Sequence, residues 1–354
     1  MINSSLQKTL ANEVNLKGVG LHTGKEVNLT FKPAPVNTGF IFVRNDLVPS
    51  VEIAADIQYV INTDRGTNLE KNGVSIQTSE HVLAALVGMS VNNCYIELDA
   101  AESPIMDGSS KSFVDAIESA GVIEQDEIKD EYIVTEPISY KDEKTASEIT
   151  LIPSDEFQVT TMVDFDTKIL GTQNASLDKI TDFKETIAPS RTFSFLHELE
   201  TLLENGLIKG GDLNNAIGYV DKPLSQITMH RLKVAFGKEN ISVKPNGILD
   251  NLSLHFSNEA ARHKLLDVIG DLALVGVPIR GKVFAHKPGH KVNAAFSRKL
   301  SQIITKDRRQ NTPKMDINRE PRLEVSEIIK MLTPRTPFIL VNKIFELSDK
   351  TVVG

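Results

Sequence analysis

Cysteine is nearly absent from this chain, with one, Cys94, among 354 residues. A lone thiol excludes a disulfide framework and a cysteine-based zinc site. Its place in the apolar run Asn93-Cys-Tyr-Ile-Glu-Leu98 reads as a buried packing residue. Positive charge is also in deficit: 39 Lys and Arg stand against 47 Asp and Glu, a net charge of -8 with a pI near 5.6. That balance argues against a nucleic-acid partner, which needs a basic face, though not against a local basic patch for one phosphate-bearing ligand. No apolar run approaches the ~20 residues that cross a bilayer. Met1-Ile-Asn-Ser-Ser5 has neither a basic segment nor an apolar core, so no signal peptide is expected and the cytoplasm is the expected compartment. The length suits two domains with a fragment of a third.

What is present is concentrated first in Glu259 to Gly276, which reads as a helix. Leu265, Leu266, Val268, Ile269, Leu272 and Leu274 give it a buried side, while His263, Asp267 and Asp271 recur every four residues and share a stripe. An imidazole and a carboxylate one turn apart suit a metal ion, zinc before others. The same pair also fits an ordinary i, i+4 surface contact, and two side chains do not complete a metal site.

The rest of the chain supplies a candidate third ligand. In the first half, strands are expected at Leu6 to Leu16, Lys25 to Lys32, Gly39 to Arg44 and Val51 to Tyr59, with the glycine-rich turn Gly18-Val-Gly-Leu-His-Thr-Gly24 between the first two. A helix from Glu80 to Gly88, capped by Thr78 or Ser79, a strand Asn93 to Leu98, a loop Ser103-Pro-Ile-Met-Asp-Gly108 and a helix Ser110 to Ala120 follow. The second half repeats the order: strands at Glu131 to Tyr140, Ser147 to Ile152 and Gln158 to Phe165, the helix from Glu259, a strand Ile279 to His286, the loop Lys287-Pro-Gly-His290 and a helix Val292 to Ile304. This predicts a duplicated α+β fold whose first helices face each other. His81, in the first turn of the first-half helix, can then converge with His263 and Asp267.

Three protein ligands with an open position are the pattern of a catalytic zinc, which brings the pKa of bound water to about 7. Glu80 could serve as general base, or merely favour the helix dipole. His290 is a candidate acid that Asp271 could hold as imidazolium, or an exposed N-cap. Lys264 and Lys287 are candidates for a phosphate-bearing substrate, against the ordinary role of solvated lysines. Between the strands and the helix of the second half, Arg191 to Phe195, a helix from Leu196 to Asn205 and Asn215 to Val220 read as either a flap with an apolar inner side or a plain crossover.

Taken in order, Gly18 to Gly24, Thr78-Ser-Glu-His81, Pro104-Ile-Met-Asp-Gly108, Ser190-Arg-Thr-Phe193, Arg262 to Asp271 and Lys287-Pro-Gly-His290 resemble the UDP-3-O-acyl-N-acetylglucosamine deacetylases, zinc amidases of lipid A synthesis. The resemblance implies two α+β domains with their helices sandwiched between two sheets, residues 1–125 and 126–305, and an acyl-passage insert at about 193–222. It makes His81, His263 and Asp267 the ligands of one zinc ion and Glu80 the base. Thr192 would stabilise the oxyanion, His290 would protonate the departing amine, and Asp271 would tune His290. Phe193, Lys264 and Lys287 fall on positions contacting sugar or phosphates, and Leu21, Leu199, Ile208, Gly211 and Ala216 on other substrate-binding positions. The chain departs from the family by extra residues at 221–251, which bears on the shape of the acyl passage.

After a charged linker, 306–322, the segment 323–354 changes character. Met331-Leu-Thr-Pro-Arg-Thr-Pro-Phe-Ile-Leu-Val-Asn-Lys343 resembles the opening of a hot-dog-fold 3-hydroxyacyl-carrier-protein dehydratase. A helix is expected at Leu323 to Met331 and a strand at Phe338 to Phe345. That resemblance implies a fusion, inactive as a dehydratase over this length, with oligomerisation through the dehydratase part. The small-molecule partner expected is a UDP-linked acylated glucosamine. The rival readings are a zinc amidase for another acylated sugar nucleotide and a non-catalytic metal-binding scaffold fused to the dehydratase.

Overall fold

Two five-stranded sheets with one strand order between them dominate the structure, a computed structural model that describes residues 5–196, 215–222, 230, 233–234, 242–245, 247–249, 252–311, 322–331, 343–344, 346–347 and 352–353. In the first half, β1 (Val14–Val19), β2 (Glu26–Pro33), β3 (Phe40–Arg44), β4 (Val51–Ala54) and β5 (Cys94–Leu98) lie in the order β1-β2-β5-β3-β4. In the second, β6 (Ile138–Asp142), β7 (Ser147–Ile152), β8 (Gln158–Asp164), β9 (Thr172–Leu177) and β10 (Lys282–His286) lie in the order β6-β7-β10-β8-β9. The late strand enters the centre both times. It is antiparallel to one neighbour, Leu29↔Leu98 and Ile149↔Ala285, and parallel to the other, Phe42↔Ile96 and Val159↔Val283. The duplication expected from element order is therefore present in the topology.

Period-two alternation explains why each sheet has one wet face. Val27, Leu29 and Phe31 of β2 are fully buried while Glu26 and Asn28 between them are exposed, and Ile149 and Leu151 of β7 alternate in the same way with Glu148. On the dry faces lie α1 (Glu80–Gly88), α2 (Lys111–Ala120), α3 (Glu259–Ala273) and α4, which runs from His290 to Asn311. The α3 helix packs on β8 and β9, α2 on β1, and α1 against both α2 and α3. Helices in the middle layer have little room for a polar face, and nearly all of α1 and most of α3 are buried. Their backbones approach closely at one point: a Cβ on Gly270 would lie 2.1 Å from the carbonyl oxygen of Glu80.

Several local expectations shift. The strand expected from Leu6 to Leu16 breaks at Ala11, whose N–H donates to Gly121; Leu6–Leu10 instead pairs antiparallel with Val122–Ile128. A three-stranded sheet, Val60–Asn62, Asn68–Lys71 and Val74–Ile76, and strand β9 were not expected. The α3 helix stops at Ala273, before Gly276 at φ +81°, and α4 continues to Asn311 through the charged residues read as the start of a linker. Phe193–Phe195 and Ile217–Tyr219 are strands, paired parallel. Beyond Leu196, the helix expected to run to Asn205 lies outside the described residues, as do Leu199, Ile208 and Gly211.

Residues 1–301 form one compact unit and residues 302–354 another. Within the second, Leu323–Glu324 pairs antiparallel with Lys343–Ile344, and the helix spans Val325–Met331, two residues shorter than expected because its first two positions are strand. Of the strand expected at Phe338 to Phe345, Lys343–Ile344 is described. No described helix is long and apolar enough to cross a membrane.

Candidate active site

The first turn of α1 and the middle of α3 meet at a buried cluster. His81 comes from α1, His263 and Asp267 from α3, and one donor atom of each lies within 4.8 Å of the others. Asp267 Oδ1 is 3.5 Å from His263 Nε2 and 3.9 Å from His81 Nε2. The two imidazoles stand edge to face, 5.0 Å between centroids at 89°. His263 Nδ1 lies 3.0 Å from the carbonyl of Ser190. A carbonyl only accepts, so Nδ1 carries the proton and Nε2 presents its lone pair to the cluster.

These donors fit a metal ion on two grounds. Asp267 Oδ1 is buried and, among the described residues, accepts no hydrogen bond; such an oxygen is costly unless a cation takes its lone pairs. The protonation states also suit ligation. Burial, with His263 adding, pulls His81 down to about 3, and burial holds His263 below the usual imidazole value. Burial alone would raise Asp267, but Lys264, whose Nζ is 2.7 Å from Oδ2, and the neighbouring imidazoles hold it far below the carboxylate range. Two neutral imidazoles and a carboxylate are therefore ready near neutral pH.

Beside the cluster stand a carboxyl and an imidazole with unlike surroundings. Glu80 is 2 % exposed, and burial pushes it up to about 7, Asp271 and Asp267 adding to the rise and His290 opposing it. Burial disfavours charge on His290, but Asp271, Asp267 and Glu80 outweigh it and raise the imidazole to about 9. His290 Nε2 is 3.9 Å from both Glu80 Oε1 and Asp267 Oδ2, while Nδ1 is 3.0 Å from Asp271 Oδ2. His290 is the first residue of α4, not a loop or exposed residue, and is half-buried. Ser79 precedes α1 but makes no side-chain cap; its hydroxyl donates to the Thr67 carbonyl.

The wall over His263 is built from the segment at 190–195. Phe193 stacks edge-on to His263 at 6.3 Å, and the Lys264 ammonium lies 5.6 Å from the Phe193 ring centre. Phe165, Phe193, Phe195, Ile217, Tyr219 and Leu170 continue from there as an apolar cluster. Half-buried Ala216 precedes the strand at Ile217. Thr192 is fixed by its backbone, its N–H donating to Gly108 and its carbonyl accepting from Ile217. Leu21 sits in the turn that Glu102 holds through the N–H groups of His22 and Thr23. The Lys287 ammonium lies 3.4 Å from Asp164.

Sequence reading gave these roles to none of five contributors. The Ser190 carbonyl sets the His263 tautomer. Arg191 and Glu259 form a buried pair, Nε to Oε1 at 2.8 Å, joining that segment to the start of α3. Asn293 donates to Asp271 Oδ2 at 2.8 Å, and Thr67 to Asp271 Oδ1. Only Asn293 left a local signal, lying three residues after His290 and so on its helix face.

The fold and the pocket define a class: a duplicated α+β protein whose halves close on a buried His-His-Asp donor set, the composition of a catalytic metal centre. Sequence comparison makes it specific. The UDP-3-O-acyl N-acetylglycosamine deacetylase family matches residues 7–236 and 229–302, and the chain belongs to that family. A UDP-3-O-acyl-N-acetylglucosamine deacetylase of Myxococcus xanthus is 40% identical over 296 residues, 83% of this chain and 86% of the relative. Proteins named bifunctional enzyme LpxC/FabZ, from Chlorobaculum tepidum and Bacteroides thetaiotaomicron, are each 42% identical over 98% of this chain and 75% of their own length.

Proposed function

We propose that the chain is a zinc-dependent deacetylase that removes the N-acetyl group from UDP-3-O-acyl-N-acetylglucosamine in the cytoplasm, an early committed step of lipid A synthesis. The observation that carries the reading is the buried Asp267 oxygen without a hydrogen-bond donor among the described residues, 3.5 and 3.9 Å from the Nε2 atoms of His263 and His81 and flanked by Glu80 and His290. His81, His263 and Asp267 would hold the metal, and mixed nitrogen and oxygen ligands without sulfur suit zinc. When bound, the ion supplies Lewis acidity toward the acetyl carbonyl and lowers the pKa of a bound water.

The chain's own groups then divide the proton transfers. Glu80, deprotonated above about pH 7, takes a proton from the attacking water as its oxygen bonds to the acetyl carbon. The Thr192 hydroxyl donates to the oxyanion that develops. His290, kept cationic to about pH 9, gives its Nε2 proton to the sugar nitrogen as the carbon–nitrogen bond breaks, releasing acetate. Asp271 holds His290 through Nδ1. Phe193 offers a face to the sugar, Lys264 and Lys287 offer charge to its phosphates, and the apolar cluster from Phe165 to Tyr219 receives the acyl chain. Alignment of the segment after residue 302 with the bifunctional relatives supports a dehydratase-like tail.

Acetate release from the purified chain tests this. Chelation should abolish release and zinc should restore it. A protein that binds zinc stoichiometrically and frees no acetate would instead be a metal-holding scaffold.

A further inference from the structure

Thr67 lies fully buried where the two halves meet, and each of its polar groups is committed. Its N–H donates to Glu80 Oε2 at 2.9 Å. Its hydroxyl meets Asp271 Oδ1 at 2.5 Å and lies 3.4 Å from His290 Nδ1. Its carbonyl accepts from the N–H and the hydroxyl of Ser79, at 3.3 and 3.0 Å. The preceding residue is pressed on the same carboxyl, since a Cβ at Gly66 would sit 3.1 Å from Glu80 Oε1.

A hydroxyl has one proton to give. Asp271 Oδ2 already receives Asn293 Nδ2 and His290 Nδ1, so the Thr67 proton serves Oδ1, and a lone pair on Oγ1 is left facing His290 Nδ1–H as a second, longer acceptor. The His290 N–H is thereby aimed at an edge made jointly by Asp271 and Thr67. Its Nε2 is correspondingly turned toward Glu80 Oε1 and Asp267. Glu80 is tied to the same residue through the backbone. Thr67 lies just before the strand Asn68–Lys71 in the first half, whereas Asp271 and His290 belong to the second, so its contacts bridge the base and the acid across the junction.

We propose that Thr67 is a positioning residue that fixes the distance and orientation between Glu80 and the Asp271–His290 pair. The inference deepens the deacetylase reading and rests on it. Replacing the hydroxyl with a methyl in Thr67→Val keeps the volume and the backbone bond to Glu80 while leaving Asp271 Oδ1 buried without its donor.

The test combines steady-state kinetics, zinc content and nuclear magnetic resonance of the zinc-loaded full chain with 15N-labelled histidine. In Thr67→Val, kcat should fall about 10- to 100-fold, with KM within about twofold of wild type and zinc content unchanged. Thr67→Ser, which keeps the hydroxyl, should recover most of the rate. The His290 Nδ1–H resonance, identified by its loss in His290→Ala, should persist in wild type and Thr67→Ser and shift or vanish in Thr67→Val. Wild-type kcat in Thr67→Val, a loss confined to KM or to zinc content, or an unmoved His290 resonance would each overturn the proposal. Should Thr67→Val not fold, Thr67→Ala carries the same comparison. A wild-type chain that releases no acetate defeats the deacetylase reading instead, and the His290 resonance then decides the role of Thr67 alone.

Discussion

At the scale of single residues, the pocket separates an acid from a base by environment. Glu80 is raised to about 7 chiefly by burial, and His290 to about 9 by the carboxylates that overcome burial. With Glu80 as the proposed base working deprotonated and His290 as the proposed acid working protonated, kcat/KM should rise with pH through the Glu80 value and fall through the His290 value. A dication in the pocket draws both limbs downward. In Glu80→Gln the acidic limb should disappear and the rate drop by about 10²- to 10⁴-fold; in His290→Ala the alkaline limb should go. Kinetics of both variants from pH 5 to about 10 check this, and an acidic limb that survives in Glu80→Gln would remove it as the base. The residues behind these limbs were unevenly legible. His263, Asp267 and Asp271 announce themselves by helical spacing, and His81 becomes a candidate once the repeat is seen. Thr67 has no such signal, because its contact to Glu80 spans 13 positions of chain, and its contact to Asp271 spans 204 and exists only after the halves close.

At the scale of elements, the site depends on how closely α1 and α3 cross. Gly270 lies against the Glu80 carbonyl, where a Cβ would stand 2.1 Å from the oxygen and 2.9 Å from the Glu80 Cα. Gly270→Ala must therefore push backbone against backbone, which costs about 1–3 kcal/mol in a packed interior and moves His81 relative to Asp267. Weaker zinc binding by titration, with a lowered melting temperature, is the expected pair of results; unchanged zinc affinity would mean the helices absorb the shift elsewhere. The Arg191–Glu259 pair makes a second element-level link. Burial would raise Glu259, but hydrogen bonds from Arg191 and His255 outweigh it and hold it below its ordinary value. That lowered value contributes stability above the unfolded carboxylate range, lost as pH falls through the folded value. Glu259→Ala leaves Arg191 buried and unpaired, a loss of about 3–5 kcal/mol, measurable by urea unfolding. The order of elements could be read from periodicity and turn residues, but partner choice could not. The amphipathic pattern of Leu6 to Leu16 runs on through Ala11, and only the pairing with Val122–Ile128 shows where the chain leaves the line of β1.

At the scale of the whole molecule, the two units differ in what they contribute to chemistry. Both five-stranded sheets, the His-His-Asp cluster, Glu80, Asp271, Thr192 and His290 all precede residue 302, where the first compact unit ends. The Myxococcus xanthus relative aligns over 83% of this chain and is named for the deacetylase alone, whereas relatives that align over 98% carry a double name. Helix α4 begins with His290 and runs to Asn311, so a cut at residue 301 would sever a helix that starts in the pocket. A cut after Asn311 keeps it whole. A chain ending at Asn311 should therefore bind one zinc ion and release acetate with kcat and KM near those of the full chain. The comparison also separates the rival readings. A metal-holding scaffold would show no acetate release in either form. An enzyme whose activity vanished on this truncation while zinc stayed bound would mean that residues 312–354 act on the pocket, and the deacetylase unit would have to be redrawn to include them.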